Sequence, residues 1–256
     1  MLTLNAAQTA ALLPYPELAT EIGRVLALAR AGEVHALERG TLPLPGGGTF
    51  LAMAAADAGA AIVKVGSVHP RNTERGLPTV QAALVIVDAV DGSLRAVLDG
   101  TTVTTRRTAA LSLLAAPRGG AAARTTVVIG AGAQARGHVE AFAGELGMER
   151  LLVYARRKGP AEELAAVARR LGVEAGVIDL TPEALTHAIG GADLIVTATN
   201  SVRPVIPATA AGALGPDATV IAVGAFRPDM AELAPEVVAR CSVVVDTLQG
   251  ALSEAG

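Results

Sequence analysis

Apolar and polar positions follow two different patterns in the two halves of the chain. Over residues 5–31 the apolar positions repeat with a helical period, broken at Pro14 and Pro16, which predicts two helices. Short β-rich runs follow, separated by glycine- and aspartate-containing turns such as Asp91-Gly92, a good hairpin signal. The predicted strands are 41–44, 49–53, 61–68, 82–90 and 94–98. The first half is therefore predicted to be an antiparallel or mixed α+β unit.

The second half alternates apolar runs with helical segments. A helix is predicted over 101–116, ending at Pro117, and Gly119-Gly120 behind it marks the joint between two domains. The strands predicted beyond it are 125–129, 151–154, 174–178, 193–198, 219–223 and 242–245, and the helices are 133–146, 160–171 and 182–189. This alternation indicates an α/β, Rossmann-type doubly wound parallel sheet over 117–256, following the α+β domain over 1–116.

Composition narrows the possible classes of protein. The chain is 51% hydrophobic but only 2% aromatic and has no tryptophan, so the core should be aliphatic. Since no apolar run is long enough to cross a bilayer, and the first basic residue is Arg24, we expect no membrane contact and a cytoplasmic location. A net charge of -3 without a basic cluster argues against nucleic acid. Cys241 lies in an apolar run and is predicted to be an inert core residue; no metal site is expected.

A glycine-rich turn follows the strand at 125–129. The run Gly130, Ala131, Gly132, Ala133, Gln134, Ala135 fits the dinucleotide fingerprint, with alanine in the third glycine place. The first glycine allows the tight turn, the second lets the backbone approach a pyrophosphate, and the small third residue lets helix and strand pack closely. The alternative is an α/β domain without a cofactor, but the clean strand, the helix behind it and a second strand about twenty residues on favour a dinucleotide site.

The end of that second strand carries positive charge. Ala155 stands where an acid would bind a ribose 2′-hydroxyl, and Arg156, Arg157 and Lys158 follow it. A guanidinium fork suits a 2′-phosphate, which predicts NADPH as the cofactor with NADH possible; the alternative is a solvated basic loop.

Two later strands end in loops that should flank the nicotinamide, because ligands of such sheets bind beyond the carboxyl ends of the strands. The residues assigned to this role are Thr197, Ala198, Thr199, Val223 and Gly224.

The first half contains an unusual lysine. Lys64 lies inside an apolar strand, although Lys64 and Lys158 are the only lysines of the chain. A buried ammonium is costly unless it meets an anion. Arg39 and Arg107 add positive charge, and together the three suit a substrate with a carboxylate, although a single residue of this kind is more often a surface cation.

At this point the chain resembles a known family, that of ornithine cyclodeaminase and mu-crystallin. The matching runs, in order, are KVGSVHPRN (64–72), GLPT (76–79), RTAA (107–110), GAGAQA (130–135) and AVGAFRPDM (222–230). The resemblance implies a homodimeric enzyme with an N-terminal substrate and dimerisation domain and a Rossmann domain, acting on amino acids or cyclic imino acids.

The resemblance also assigns roles to particular residues. It implies that Arg39 and Arg107 grip the substrate carboxylate while Lys64 lies near the reacting carbon and nitrogen, as the catalytic residue. Thr79 matches a position near the nicotinamide. His69 is interpreted as a residue that shapes its loop, with a proton donor as the alternative.

Departures from the cyclodeaminase members point to a reaction. Phe226 replaces their aspartate, and Ala155 replaces their acid for bound NAD. Both features resemble the ketimine reductases, so we expect NADPH-dependent reduction of Δ1-pyrroline-2-carboxylate or Δ1-piperideine-2-carboxylate to L-proline or L-pipecolate. Alternatives are an ornithine cyclodeaminase, an alanine dehydrogenase, or a protein that binds NADPH and a ligand without turnover. Family members continue for some fifty residues of C-terminal helices that this chain apparently lacks, which puts full activity in question.

Overall fold

A computed structural model describes residues 1–116 and 123–254, and these divide into two compact units, Met1–Arg107 and Thr108–Gly256. The boundary lies inside a helix, Gly100–Ala115, rather than after residue 116 as the sequence suggested. The reason is that the second half of this helix packs with the second unit, where Ala109 and Ala110 are fully buried. The predicted joint at Pro117 and Gly119-Gly120 lies outside the described residues.

The first unit is a mixed sheet with helices, as predicted. Its helices are α1 (Ala6–Ala11), α2 (Tyr15–Arg30) and the start of α3 (Gly100–Ala115). Its strands are β1 (Leu2–Thr3), β2 (His35–Ala36), β3 (Gly40–Leu44), β4 (Gly48–Ala56), β5 (Ala60–Val68), β6 (Val80–Asp88) and β7 (Leu94–Asp99). The sheet order is β1-β7-β6-β5-β4-β2, with β3 also on β4; β1 pairs parallel to β7 and the other pairs are antiparallel. The two-residue strands β1 and β2 were not predicted, because they are too short to show a period.

Turn residues explain the order of these strands. Asp57 closes the turn between β4 and β5 by accepting the backbone N–H groups of Gly59 and Ala60 through one oxygen. Gly92 adopts a positive φ of 73° in the predicted turn between β6 and β7. These tight turns place successive strands side by side, so β5 lies in the interior of the sheet between β4 and β6.

The second unit is the predicted parallel sheet. Its strands are β8 (Thr125–Ile129), β9 (Arg150–Tyr154), β10 (Glu174–Val177), β11 (Leu194–Thr197) and β12 (Thr219–Ala222), and its further helices are α4 (Ala133–Glu145), α5 (Lys158–Arg170), α6 (Pro182–Gly190), α7 (Pro235–Val238) and α8 (Leu248–Glu254). All strand pairs are parallel in the order β10-β9-β8-β11-β12. The order reverses at β8, which places a ligand crevice between the carboxyl ends of β8 and β11.

Two predictions about the end of the chain are wrong. Residues 242–245 form no strand: Val243 and Val244 are 65% and 86% exposed, and the structure assigns them no ladder partner within the described residues. Cys241 is exposed rather than a core residue, with its thiol directed at the Val237 carbonyl oxygen. An apolar run predicts burial only where a neighbouring element covers it. In residues 1–116 and 123–254 no helix is both long and apolar enough to span a membrane.

Candidate functional site

Lys64 lies at the centre of a cluster of cations in the first unit. It stands on β5, in register with Met53 of β4 and Leu84 of β6, and its ammonium donates to the Thr104 hydroxyl of α3 at 3.3 Å. Burial, then the positive charges of Arg107 and Arg39, lower the pKa of Lys64 to about 8. Residues from three distant places in the sequence therefore share one electrostatic environment.

The helix α3 explains part of this arrangement. Thr104 and Arg107 are three residues apart and therefore share a helix face. The Thr104 hydroxyl donates to the Gly100 carbonyl oxygen at 2.7 Å, which leaves its lone pair directed to accept from Lys64. The positive charges of Arg107 and Arg39 disfavour the charged form of Lys64, and a bound anion would relieve this repulsion.

His69 and Thr79 belong to the loop between β5 and β6. The imidazole of His69 lies against Gly48, where any Cβ would overlap the ring. The backbone N–H of His69 donates to the Thr79 carbonyl oxygen at 2.8 Å, and its carbonyl accepts from Asn72 at 3.0 Å. These contacts favour the loop-shaping interpretation of His69 and give Thr79 a fixed backbone.

The glycine-rich turn in the second unit fits a dinucleotide. Gly130 has a positive φ of 116°, and a Cβ there would overlap the Ala198 carbonyl oxygen. Gly132 caps α4, and a Cβ there would meet nothing within 4 Å, so the protein itself does not require this glycine. The open space fits the second glycine of the fingerprint, which lets the backbone approach a pyrophosphate closely. Ala135 is fully buried, as a residue that lets helix and strand pack closely should be.

The remaining residues assigned to the cofactor differ in their surroundings. Ala133 is exposed at the start of α4, while the Gln134 side-chain oxygen is buried and has no hydrogen-bond partner among the described residues. Arg156 and Arg157 are exposed directly after β9, and no ion pair is assigned to either within the described part of the chain. Both guanidinium groups therefore lie at the strand end where sheets of this type bind a ribose.

Sequence reasoning missed Glu232. Its carboxylate is only 3% exposed and accepts four hydrogen bonds from residues at the ends of β11 and β12. One oxygen accepts from the Thr199 backbone N–H and hydroxyl, both at 2.7 Å; the other accepts from the Thr197 hydroxyl at 3.0 Å and the Gly224 N–H at 2.6 Å. The signal in the sequence was an acid set among apolar residues, beside Met230, which is 2% exposed.

His138 was also missed. It is fully buried on α4, where its Nδ1 lies 2.7 Å from the Gln134 carbonyl oxygen and its Nε2 lies 2.9 Å from the Ser112 hydroxyl. Burial lowers its pKa to about 4, so the imidazole is neutral near pH 7. A neutral imidazole that donates through Nδ1 and accepts through Nε2 satisfies both contacts. This links the second half of α3 to the first turn of α4.

Comparison with known proteins now identifies the family. A family model described as ornithine cyclodeaminase/mu-crystallin matches residues 4–256. The chain belongs to this family. Sequence relatives agree with the match. The Δ1-pyrroline-2-carboxylate reductase 1 of Burkholderia multivorans is 40% identical over 253 residues, which are 98% of this chain and 78% of the relative. The Δ1-pyrroline-2-carboxylate/Δ1-piperideine-2-carboxylate reductase of Azospirillum brasilense is 39% identical over 254 residues, with the same coverage.

A solved structure of similar fold supports the family assignment. The Δ1-pyrroline-2-carboxylate reductase of Thermococcus litoralis, in complex with NADH and L-proline, aligns with a TM-score of 0.89 and 27% identity. The alignment covers 100% of this chain and 78% of that one. The predicted fold class, a Rossmann-type sheet with an α+β unit, is therefore confirmed by an experimentally determined relative as well as by the strand order.

Within this member of the ornithine cyclodeaminase/mu-crystallin family, the structure groups the predicted site residues into two sets. In the first unit Arg39, Lys64 and Arg107 come together. In the second unit the glycine turn lies against the loop after β11, at Ala198 and Thr199. Thr197 is fully buried, and its hydroxyl donates to the Glu232 carboxylate. Its side chain therefore stabilises the loop after β11 from inside the protein.

Proposed function

We propose that this protein reduces a cyclic imino acid, Δ1-pyrroline-2-carboxylate or Δ1-piperideine-2-carboxylate, to L-proline or L-pipecolate with NADPH. The observation that carries the proposal is Lys64 on the interior strand β5, whose pKa is lowered first by its burial and then by the positive charges of Arg107 and Arg39. Such a cluster favours a small anion, and a carboxylate next to an imine provides one. Relatives that act on these imines support the choice of substrate.

Each residue of the cluster has a part in this proposal. Arg39 and Arg107 hold the carboxylate, since a guanidinium matches its two oxygens in a bidentate pair. Lys64 donates the proton that the imine nitrogen needs. With a pKa of about 8 the ammonium is protonated at pH 7 and yet more acidic than an ordinary lysine, which suits a general acid.

The second unit supplies the dinucleotide site. The backbone from Gly130 to Ala135 holds the pyrophosphate at the start of α4, and the loops after β11 and β12 flank the nicotinamide. The bound dinucleotide supplies the hydride for C2 of the imine, so one proton and one hydride convert the C=N bond into an amine. Positioning of C2 accounts for much of the rate, because it makes the transfer effectively unimolecular.

The preference for NADPH rests on the end of β9. Arg156 and Arg157 follow Ala155 there, and no acid occupies the place that selects a ribose 2′-hydroxyl. Replacing both arginines with alanine should raise the Michaelis constant for NADPH about tenfold and leave that for NADH nearly unchanged, since only NADPH carries the 2′-phosphate. Equal or better use of NADH by the unmodified protein contradicts the preference.

The deciding experiment follows the absorbance of NADPH while each cyclic imine is added to the purified chain. A fall that depends on the imine supports the proposal. Turnover of ornithine or alanine with oxidised dinucleotide, without imine reduction, would instead indicate a cyclodeaminase or an alanine dehydrogenase. Binding of NADPH with no oxidation would indicate a binding protein. Phe226 opposes the cyclodeaminase, because a phenylalanine cannot transfer a proton.

We also propose that the protein acts as a homodimer through its first unit. Apolar side chains of that unit remain exposed, among them Leu37 at 74% and Leu42 at 61%, and Ile62 and Val63 on β5 are more than a third exposed. Burial of such side chains against a second copy would stabilise the pair. Sedimentation velocity gives the mass directly, and a monomer at micromolar concentration contradicts the proposal.

A further inference from the structure

The strand ends of the second unit are joined by one carboxylate. The ladder between β11 and β12 reaches Thr197 and Ala222, and one further bond runs from the Val223 N–H to the Thr197 carbonyl oxygen at 3.0 Å. Beyond this point the ladder between β11 and β12 ends, and within the described residues the backbone N–H groups of Thr199 and Gly224 are assigned no strand partner. The carboxylate of Glu232 accepts both, so it replaces the ladder where the ladder ends.

The carboxylate is itself fixed by its own backbone. The Glu232 carbonyl oxygen accepts from the N–H groups of Val205 and Ile206 at 2.8 and 3.0 Å, and Ala231 donates to Ser201 at 3.2 Å. Neighbouring Met230 and Ala234 are buried. Glu232 therefore connects three segments, the loop after β11, the loop after β12 and the segment from Ser201 to Ile206, through a side chain that has little freedom to move.

These loops lie on one side of the glycine turn. Gly130 touches the Ala198 carbonyl oxygen, whereas the basic strand end at Arg156 belongs to β9, on the other side of β8. In a sheet of this order the adenosine half of a dinucleotide extends over the second strand and the pyrophosphate lies at the helix start. The nicotinamide half must then extend over β11 and β12, beside the atoms that Glu232 holds.

We propose that Glu232 is a positioning residue that sets the spacing of the Thr199 and Gly224 backbones and thereby shapes the place where the nicotinamide ring is bound. It acts through these two loops rather than by touching the cofactor. The inference rests on the proposed function in that the ligand is a nicotinamide dinucleotide, but it does not require that the chain turns over an imine.

The test compares two ligands that differ in the nicotinamide. Binding of NADPH and of 2′-phospho-ADP-ribose is measured by calorimetry for the unmodified chain and for Glu232→Gln. Glutamine keeps the volume but directs an NH2 group toward one of the two backbone N–H donors, so at least one bond is lost. We expect NADPH to bind about tenfold more weakly to the variant, equivalent to about 1.4 kcal/mol, and 2′-phospho-ADP-ribose to bind within about twofold of the unmodified chain.

Two further variants keep the result interpretable. Glu236 lies on α7, four residues after Glu232, and its side chain is exposed. Glu236→Gln removes the same negative charge as Glu232→Gln and should leave the affinity for each ligand within about twofold. Thr197→Val removes one hydroxyl donor and leaves the carboxylate in place; it should shift the NADPH affinity in the same direction by a smaller factor, and it serves if Glu232→Gln does not fold.

Equal weakening of both ligands by Glu232→Gln would overturn the inference, because it would make Glu232 a general support of the fold. Unchanged binding of NADPH would overturn it too. If the unmodified chain reduces no imine while the selective loss of NADPH affinity is observed, the proposed function fails and the inference stands. If NADH is preferred, NADH and ADP-ribose form the corresponding pair of ligands.

Discussion

Each unit of the molecule holds a buried or half-buried charged side chain at its candidate site, and the two are compensated in opposite ways. Glu232 accepts four hydrogen bonds from neutral donors and needs nothing further. Lys64 donates one hydrogen bond to Thr104 and lies among positive charges that lower its pKa to about 8. A charge whose hydrogen-bonding needs are met by the protein fixes the geometry around it. A charge that the protein leaves poorly balanced is stabilised when an oppositely charged ligand binds.

The largest effect should follow replacement of Lys64 by methionine. We expect turnover of the cyclic imine to fall on the order of a thousandfold, the range of general acid catalysis, while NADPH binding is unchanged. Steady-state kinetics at saturating NADPH measures the fall. Arg95→Met is the matched control, because it removes an exposed cation from β7 of the same sheet and should leave turnover intact. Near-normal turnover of Lys64→Met would refute the role of Lys64.

Arg107→Met should raise the Michaelis constant for the imine about a hundredfold, since one partner of the carboxylate is lost. It should also change the pH profile. Activity needs protonated Lys64, so kcat/KM of the unmodified enzyme falls as pH rises through about 8. Arg107 lowers the pKa of Lys64, so without it the pKa rises and the fall moves to higher pH. If the pH profile of Arg107→Met coincided with that of the unmodified enzyme, Arg107 would have no electrostatic effect on Lys64.

Stability should respond in opposite directions in the two units. Because the folded-state pKa of Lys64 is lowered, its protonated form opposes folding below pH 8, and stability rises with pH between about 8 and 10.5. Lys64→Met should therefore stabilise the protein at pH 7, by about 1 kcal/mol after allowance for solvent screening. Glu232→Met leaves its donors without an acceptor and should destabilise it by about 3 kcal/mol. Urea unfolding gives the change in unfolding free energy for both variants. If both variants were stabilised or both destabilised, the contrast between the two sites would be wrong.

Replacement of His138 should have the smallest effect on stability at pH 7, because the buried imidazole is neutral there. Its folded pKa of about 4 lies below the ordinary value, so the unfolded chain binds more protons between pH 4 and 6.5, and stability is lost as pH falls through this window. His138→Gln should flatten that slope and change little at neutral pH. Urea unfolding at several pH values tests this, and an unaltered slope would assign the acid sensitivity to other groups.

The two sites also differ in how far the sequence predicts them. The strand β8 was predicted with correct bounds, and the turn from Gly130 to Ala135 could be recognised because its glycine spacing is a local pattern in the sequence. Glu232 was missed because its partners are 8 to 35 residues away and become neighbours only when β11 and β12 pair.

The cluster of Arg39, Lys64 and Arg107 could be predicted in part from the sequence. Lys64 stood out because a lysine in an apolar strand is costly, whereas Arg39 and Arg107 could be grouped with it by charge alone, and their roles came from the family resemblance. The apolar run at 242–245 shows the opposite error. Its pattern is that of a buried strand, yet burial depends on a neighbouring element, and pattern alone does not reveal whether one is present.

The crowding around Gly224 has an evolutionary consequence. A Cβ at this position would overlap the Thr199 carbonyl oxygen and would lie 2.5 Å from the Thr199 nitrogen and 2.5 Å from a Glu232 oxygen. Any larger residue at 224 is therefore incompatible with the Thr199 backbone as well as with glutamate at 232, so loss of the glutamate alone does not remove the reason for the glycine. Descendant lineages should therefore keep glycine at 224 even where position 232 has changed, so the glycine should outlast the glutamate.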